Sequence, residues 1–227
     1  MKPLLRLEKV SYVYPGNREP TLRDINIEVW DNEILCIKGP NGSGKSTLLL
    51  VMAGLLPPTT GTVYYREVPL HDQFPEVRSK IGMLFQNPEV MMINPTVFDE
   101  IAYGPRQLFD EETARRKVVE VARLLEIDYL LDRSTVSLSY GEKRLVALAS
   151  ILSYDPELLL LDEPLSNLQD SKIDMVRYLI NQLKQRGKTI VLTAPNRCSG
   201  EVRCDRTLIL ENGAIISVIN RYSPYHS

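Results

Sequence analysis

The sequence predicts an α/β protein built on a parallel sheet, and three observations carry this prediction. In the last third of the chain, short apolar segments at residues 158–161 and 189–193 alternate with helical patterns. Strands that are apolar on both faces are typical of a parallel sheet covered by helices. The segment at residues 34–38 is also apolar and runs directly into a glycine-rich turn. With 227 residues, of which 44% are hydrophobic, the chain can form one large domain with a sizeable core.

The N-terminal third is predicted to contain mainly strands. Residues 4–10 are the first candidate. Residues 22–29 are the second, because apolar residues alternate there as in a half-buried strand. Arg23 and Asp24 interrupt that alternation. Residues 45–55 are predicted to form a helix.

The middle of the chain is predicted to be helical. Acidic residues at 110–112 favour a helix N-terminus through the macrodipole, and this helix extends to about residue 127. A second helix covers residues 140–153. In the last third, a further helix stops at Gly187, and residues 208–218 form a hairpin on an Asn-Gly turn.

Composition excludes several classes of protein. The 27 basic and 29 acidic residues give a net charge of −2, which argues against a strongly basic nucleic-acid binder. No run approaches the roughly 18–20 apolar residues of a membrane-spanning helix. The N-terminus meets charge at Lys2 and Arg6, too early for a signal peptide. We therefore expect the protein to stay where it is made and any membrane role to be peripheral.

The cysteines and histidines are few. Three cysteines without CxxC spacing argue against a disulfide framework and against a zinc site. Cys36 lies in an apolar run and is expected to be a small buried hydrophobic residue, whereas Cys198 and Cys204 carry no pattern. The two histidines are His71 and His226.

Residues 39–46, GPNGSGKS, fit the phosphate-loop pattern GxxxxGK(S/T). Its glycines let successive backbone N–H groups point at phosphate oxygens, and the following helix adds its positive N-terminal end. Lys45 would contact the β- and γ-phosphates, and the Ser46 hydroxyl would contact Mg²⁺. The alternative is a glycine-rich turn without a ligand, which the apolar strand before it and the helix after it disfavour.

Two acidic residues follow the four-leucine segment at residues 158–161. The carboxyl end of a buried strand is where an open α/β sheet presents its ligands. Asp162 could hold Mg²⁺ through water, and Glu163 could accept a proton from an attacking water. Without the phosphate loop upstream, the pair could equally well just end a strand.

Together these residues resemble the ATP-binding subunits of ABC transporters over nearly the whole chain. Residues 138–142, LSYGE, are similar to the family signature LSGGQ, and the resemblance implies that they face the γ-phosphate of ATP held by a second subunit. Gln86 resembles the glutamine that reaches Mg²⁺ and links to the membrane partner; the alternative is a solvated loop residue. Tyr14 resembles the aromatic residue that stacks on adenine; the alternative is a tyrosine that merely ends a strand.

The resemblance implies a complete site and fold. The cofactors are ATP and Mg²⁺, and the fold is a RecA-like P-loop NTPase core with an N-terminal antiparallel β subdomain and an inserted α-helical signature subdomain. The core would cover residues 1–87 and 152–227, and the helical subdomain residues 88–151. The implied ATP-binding residues are Tyr14, Gly39, Pro40, Asn41, Gly42, Ser43, Gly44, Lys45, Ser46 and Thr47; the catalytic residues are Glu163 and Gln86; the metal-binding residues are Ser46, Gln86 and Asp162; and the signature residues acting in trans are Ser139, Tyr140, Gly141 and Glu142.

Within the family, the segments FQNPE at residues 85–89 and IAYGP at residues 101–105 are similar to the energy-coupling factor group. That resemblance implies an importer of a vitamin or of a metal ion such as cobalt or nickel. The partners would be a second ATPase subunit, a transmembrane coupling subunit and a substrate-capturing subunit, with no nucleic acid. The chain would lie on the cytoplasmic face of the membrane, and residues 89–95, with Met91 and Met92, are a candidate contact surface. Ordinary packing inside the helical subdomain is the alternative for that segment.

Three positions depart from the family pattern. Pro195 occupies the place of the histidine that senses the γ-phosphate, and proline offers neither a side-chain donor nor a backbone N–H. Residues 166–169, SNLQ, carry an amide where a carboxylate is usual, and Tyr140 replaces a glycine. We therefore predict that one of the two ATP sites of a dimer is impaired, which favours a heterodimer over a homodimer.

Two other functions compete with the importer subunit. One is a soluble ABC protein acting on ribosomes or DNA, but such proteins generally carry two ATPase cores or a long coiled-coil insertion. The other is a regulatory module that binds ATP and hydrolyses it poorly, and the absent histidine keeps this alternative open.

Overall fold

In this computed structural model, residues 2–74, 76–195 and 202–220 are described. They form two sheets and a helical layer. The strands of this part of the chain are β1 (Leu5–Tyr12), β2 (Leu22–Val29), β3 (Ile34–Lys38), β4 (Thr60–Tyr65), β5 (Val68–Pro69), β6 (Ile81–Leu84), β7 (Leu158–Leu161), β8 (Thr189–Ala194), β9 (Arg206–Glu211) and β10 (Ala214–Asn220). The α-helices are α1 (Lys45–Met52), α2 (Val97–Leu108), α3 (Glu111–Leu124), α4 (Tyr140–Leu152) and α5 (Asp170–Gln185), and short 3₁₀ turns connect several of these elements.

The first sheet is antiparallel, with strand order β2-β1-β4-β5. Its apolar residues alternate inward along β2, as predicted. The interruption at Arg23 and Asp24 coincides with an irregular register between β1 and β2, and Asp24 has a φ of 46°. An extra residue of this kind restores the alternation beyond it. The predicted N-terminal antiparallel sheet is therefore confirmed.

The second sheet has strand order β10-β9-β3-β8-β7-β6, and β9, β3, β8, β7 and β6 run parallel. Only β10 is antiparallel, as the second arm of the predicted hairpin. Both faces of this sheet are covered. In β7, Leu159 and Leu161 belong to one core cluster, whereas Leu158 and Leu160 belong to the other. The continuous apolar strands thus have the cause expected for a parallel sheet, and the predicted α/β class is confirmed.

Helices α2, α3 and α4 pack against one another and against one face of the second sheet. The sequence did not predict α2, since Gly104 and Pro105 near its C-terminus are signals that usually end a helix. Thr96 caps α2, because its hydroxyl accepts a hydrogen bond from the N–H of Asp99. The strands β4 and β6 were also not predicted.

The sequence argued against a disulfide framework and did not predict that one pair of cysteines is bonded. Cys36 on β3 is fully buried, as expected, but it is bonded to Cys204, whose Cα lies 5.8 Å from its own. The two residues are 168 positions apart, so no local spacing could have indicated the pair. Cys198 and His226 lie outside the described residues.

Within the described ranges, no helix has the length and apolar character needed to cross a membrane.

Candidate functional site

The glycine-rich loop connects β3 to α1 at the carboxyl end of the parallel sheet. Gly39 cannot be replaced without a shift, because a Cβ there would lie 2.1 Å from the carbonyl oxygen of Leu210. Lys45 is the first residue of α1 and is only 6% exposed. Its Nζ donates to the carbonyl oxygens of Gly39 and Pro40, at 2.9 and 3.1 Å. The loop therefore holds its own cation at its centre.

The turn between β9 and β10 supports this loop from one side. Its Gly213 donates its N–H to the carbonyl oxygen of Ser43 at 3.1 Å. The carbonyl oxygen of Gly213 in turn accepts the N–H of Arg23 on β2, at 2.8 Å. The sequence predicted the hairpin but not this contact. The turn therefore ties the loop to both sheets.

A cleft of about 360 Å³ lies over the loop. It brings together four regions that are distant in sequence: the residue before β2, the loop, the segment after β6 and the end of β7. Its lining residues are Thr21, Asn41, Gly42, Gly44, Lys45, Ser46, Thr47, Gln86 and Glu163. Of these, only Thr21 was not among the predicted site residues, since nothing in its local sequence marks it.

Asp162 is buried at the end of β7, with 2% exposure. Its carboxylate accepts a hydrogen bond from the hydroxyl of Thr193 at 2.5 Å, and the same hydroxyl accepts the N–H of Glu163 at 2.8 Å. Thr193 lies near the end of the neighbouring strand β8. It was not predicted, although a polar residue near the end of an otherwise apolar strand is a usable signal.

Glu163 lines the cleft from the end of β7. Its backbone has a φ of 47°, which is rare for a residue with a side chain and costs on the order of 1–3 kcal/mol. The Ser166 hydroxyl donates to Oε2 of Glu163 at 2.9 Å, which restricts the carboxylate. Strain of this kind is typical of residues whose position serves a function.

Tyr14 contacts Thr47, a residue of the cleft, but does not itself line the cleft. Its hydroxyl and the hydroxyl of Thr47 are 3.1 Å apart, and its ring meets the edge of Tyr12 at a centroid distance of 4.9 Å. The adenine stack therefore stays a prediction.

The signature residues Ser139, Tyr140, Gly141 and Glu142 form the start of α4. Ser139 caps the helix by accepting the N–H of Glu142 at 3.3 Å, and Oε2 of Glu142 accepts the N–H of Ser139 at 2.8 Å. This reciprocal pair is a capping box. The N–H and then the hydroxyl of Ser139 lower the pKa of Glu142. Among the described residues that line the cleft over Lys45, none belongs to this segment.

The loop fits a polyphosphate. The Ser43 hydroxyl is buried and has no hydrogen-bond partner among the described residues, and Lys45 contacts only carbonyls of its own loop. Both donors would gain acceptors from phosphate oxygens. In the described ranges, no cluster of three His, Cys, Asp or Glu residues could bind a metal unaided. The hydroxyl, amide and carboxylate oxygens of Ser46, Gln86 and Asp162 suit Mg²⁺, which proteins usually bind together with substrate phosphates.

A phosphate loop between a parallel strand and a helix, with two carboxylates at the end of a nearby strand, defines a P-loop nucleotide-binding protein. The family model described as ABC transporter matches residues 22–166, and the chain belongs to that family. The resemblance drawn from the motifs is therefore confirmed. Hydrolysis of ATP is the activity that this family implies.

Relatives of known or assigned role are similar over most of the chain. The nickel import ATP-binding protein LarO of Lactiplantibacillus plantarum is 37% identical over 85% of this chain and 83% of its own length. The energy-coupling factor transporter ATP-binding protein EcfA1 of Halalkalibacterium halodurans is 36% identical over 95% of this chain and 78% of its own length. Among solved structures, cbiO1 from Clostridium perfringens, part of the transporter complex cbiONQ, is 27% identical with a TM-score of 0.83, covering 97% of this chain and 89% of that one.

Proposed function

We propose that this chain is the ATP-binding subunit of an ABC importer of the energy-coupling factor type. It couples ATP binding and hydrolysis to the uptake of a vitamin or metal ion through separate membrane subunits, on the cytoplasmic face of the membrane. The observation that carries the ATPase assignment is the single cleft shared by Lys45, Gln86 and Glu163. The importer class rests on the similarity to LarO and EcfA1.

The chain's own residues would divide the work as follows. The backbone N–H groups of the loop and the Lys45 ammonium bind and orient the β- and γ-phosphates. The Glu163 carboxylate, restrained by Ser166, accepts a proton from the water that attacks the γ-phosphate. Ser46, Gln86 and Asp162 would hold Mg²⁺, which would supply charge neutralisation for the phosphates. Thr193 fixes the Asp162 carboxylate relative to the Glu163 backbone through its two hydrogen bonds.

An apolar groove of about 340 Å³ is the proposed contact for a membrane subunit. It lies between the segment after Gln86, α2 and α4. Val90 and Ile93 line it and are 61% and 67% exposed, and Met91 lines it as well. Met91 and Met92 both pack against the core, and Met92 does not line the groove. The predicted segment thus offers a docking surface through Val90, Met91 and Ile93 rather than through the methionine pair.

A second candidate function is a regulatory subunit that binds ATP and hydrolyses it poorly. Pro195 follows β8 directly and supplies neither a side-chain donor nor an N–H. No described residue from the end of β8 lines the cleft. This observation favours a weakened site within the same family and leaves the binding chemistry unchanged. The dimer would then pair this chain with a related but different subunit.

Replacing Lys45 by alanine tests nucleotide binding. The variant loses charge-assisted contacts worth about 1.5–3 kcal/mol, so ATP affinity should fall at least about tenfold in a titration of the purified chain. The matched control is Lys80→Ala, an exposed lysine that does not line the cleft, which should bind as the wild type does. Equal affinity of Lys45→Ala and the wild type would remove the basis for the assignment.

A further inference from the structure

The start of α4 is fastened to the chain just after β6 through one backbone carbonyl. The Tyr140 hydroxyl donates to the carbonyl oxygen of Gln86 at 3.1 Å. Arg144, one turn further along α4, donates Nη2 to the same oxygen at 2.7 Å. A carbonyl oxygen has two lone pairs, so both of its acceptor positions are used by α4. We call Tyr140, Arg144 and the Gln86 carbonyl the α4 clasp.

Two neighbouring contacts extend the α4 clasp. Arg144 also directs Nη1 toward the carbonyl oxygen of Asp162, at 3.4 Å. Lys143 pairs its Nζ with Oε1 of Glu89 at 2.7 Å. The first turns of α4 thereby contact the segments of two of the three predicted metal-binding residues, Gln86 and Asp162.

Burying the charged side chain of Arg144 costs desolvation free energy. It is 1% exposed, its Nε has no partner, and among the described residues no carboxylate lies within ion-pairing distance. Burial lowers the pKa of its guanidinium. An apolar side chain of similar volume would avoid the desolvation of a charge, but it would remove the donors to the Gln86 and Asp162 carbonyls, so the value of an arginine here is that it joins these two segments to α4.

The two ends of the α4 clasp lie in segments with different predicted functions. The Gln86 side chain lines the cleft over Lys45, whereas Tyr140 lies within the segment predicted to face ATP of a second subunit. A glycine at position 140 could not make this contact, because the donor is the tyrosine hydroxyl. If the Gln86 carbonyl moves, both hydrogen bonds are strained or broken unless the start of α4, which supplies the donors, moves with it.

We propose that Tyr140 and Arg144 are positioning residues. Through them, binding of ATP in this chain's own cleft changes the position of the start of α4. A chain with ATP bound would thereby present its signature segment to a partner in an altered pose. This inference rests on the proposed function, since it requires that the cleft bind ATP.

Hydrogen–deuterium exchange on the full chain tests the transmission. ATP affinity and thermal unfolding are measured first for each variant, and exchange of residues 138–146 is then compared without nucleotide and at saturating Mg·ATP. In the wild type, nucleotide should change the exchange rate of this segment by about twofold or more. In Tyr140→Phe, which lacks only the hydroxyl, that nucleotide-dependent change should fall by about half or more.

Tyr154→Phe is the matched control. Tyr154 follows α4 and also donates its hydroxyl to a backbone carbonyl, that of Ile81 at 3.3 Å, but it is remote from the start of the helix. Its variant should retain the wild-type response of residues 138–146. Arg144→Lys, which keeps the charge but not the forked geometry, should lose part of the response.

Two results would overturn the inference. One is a response in Tyr140→Phe and Arg144→Lys equal to that of the wild type. The other is a wild-type chain that binds ATP without any change in residues 138–146. Failure of the proposed function is a separate result, because it would already appear as absent ATP binding in the titration.

Discussion

Single polar residues at the ends of apolar strands determine how the carboxylates are held. Thr193 serves two neighbours at once, donating to Asp162 and accepting from the N–H of Glu163. Ser166 restrains the Glu163 carboxylate. Pro195, two residues beyond Thr193, can supply no comparable bond from its side chain or nitrogen. The hydrogen bonds that restrain the two carboxylates are therefore present, whereas the side-chain donor expected of the family at position 195 is absent.

The residue-scale prediction is asymmetric hydrolysis. Alone, the purified chain should hydrolyse ATP near background, and Pro195→His should raise the rate. In a heterodimer with a related subunit that keeps the histidine, Glu163→Gln in this chain should reduce ATPase activity by less than about twofold. The corresponding change in the partner should reduce it by on the order of 10²-fold, the usual loss of a general base. Steady-state phosphate release measures the rates of all four samples: the isolated chain, its Pro195→His variant and the two heterodimer variants.

Brisk hydrolysis by the isolated chain that is lost in Glu163→Gln would contradict this asymmetry. Such a result would show that the cleft needs neither a histidine nor a different partner.

At the scale of elements, the β9–β10 hairpin does more than close the edge of a sheet. Gly213, with a φ of 77°, bonds to the phosphate loop and to β2. Its position leaves no room for a side chain, since a Cβ would lie 2.3 Å from the carbonyl oxygen of Thr21, another residue of the cleft. The turn is thus a structural support of the nucleotide site.

Gly213→Ala should therefore lower both stability and ATP affinity. The positive φ alone costs about 1–2 kcal/mol with a side chain, and the close approach adds on the order of 1–3 kcal/mol of overpacking. Gly187→Ala is the matched control, because Gly187 has a φ of 84° but nothing within 4 Å of its Cβ position. Denaturant unfolding and ATP titration of both variants separate backbone strain from the clash. Equal losses in the two would show that the turn does not support the loop.

Helix α4 also acts beyond its own packing. Its capping box stabilises the first turn, and the α4 clasp joins that turn to the segment after β6. The same helix also packs its apolar residues against α2 and α3, so one element connects the helical layer to the cleft.

For the whole molecule, the exposed part of the apolar groove is the proposed docking surface. Ile93→Glu should reduce recovery of the membrane subunits about tenfold or more, because a charge would be buried in the interface. The measurement is co-purification with the membrane proteins encoded beside this gene. Ile216→Glu, an exposed isoleucine on β10 outside the groove, is the control and should behave as the wild type. Undiminished recovery with Ile93→Glu would place the contact elsewhere.

The sequence alone determined the features that depend on neighbours in the chain. The phosphate loop from Gly39 to Ser46 is recognisable because its glycines, lysine and hydroxyl must be consecutive to surround a phosphate. The leucines of β7 predicted a doubly covered strand, because a parallel sheet buries both faces. The alternation in residues 22–29 predicted the half-buried strand β2, but the irregular pairing at Arg23 and Asp24 was seen only in the structure.

The tertiary structure decided what joins distant segments. Several contacts connect residues that are at least 30 positions apart: the Cys36–Cys204 bond, the support of Ser43 by Gly213, the hydrogen bonds of Thr193 with the Asp162 carboxylate and the Glu163 N–H, and the α4 clasp. Such contacts leave no periodicity in the sequence, because each depends on one side chain or backbone group meeting another only after the sheets and helices have packed. Helix α2 belongs here too, since packing against α3 and α4 outweighs the local signals of Gly104 and Pro105.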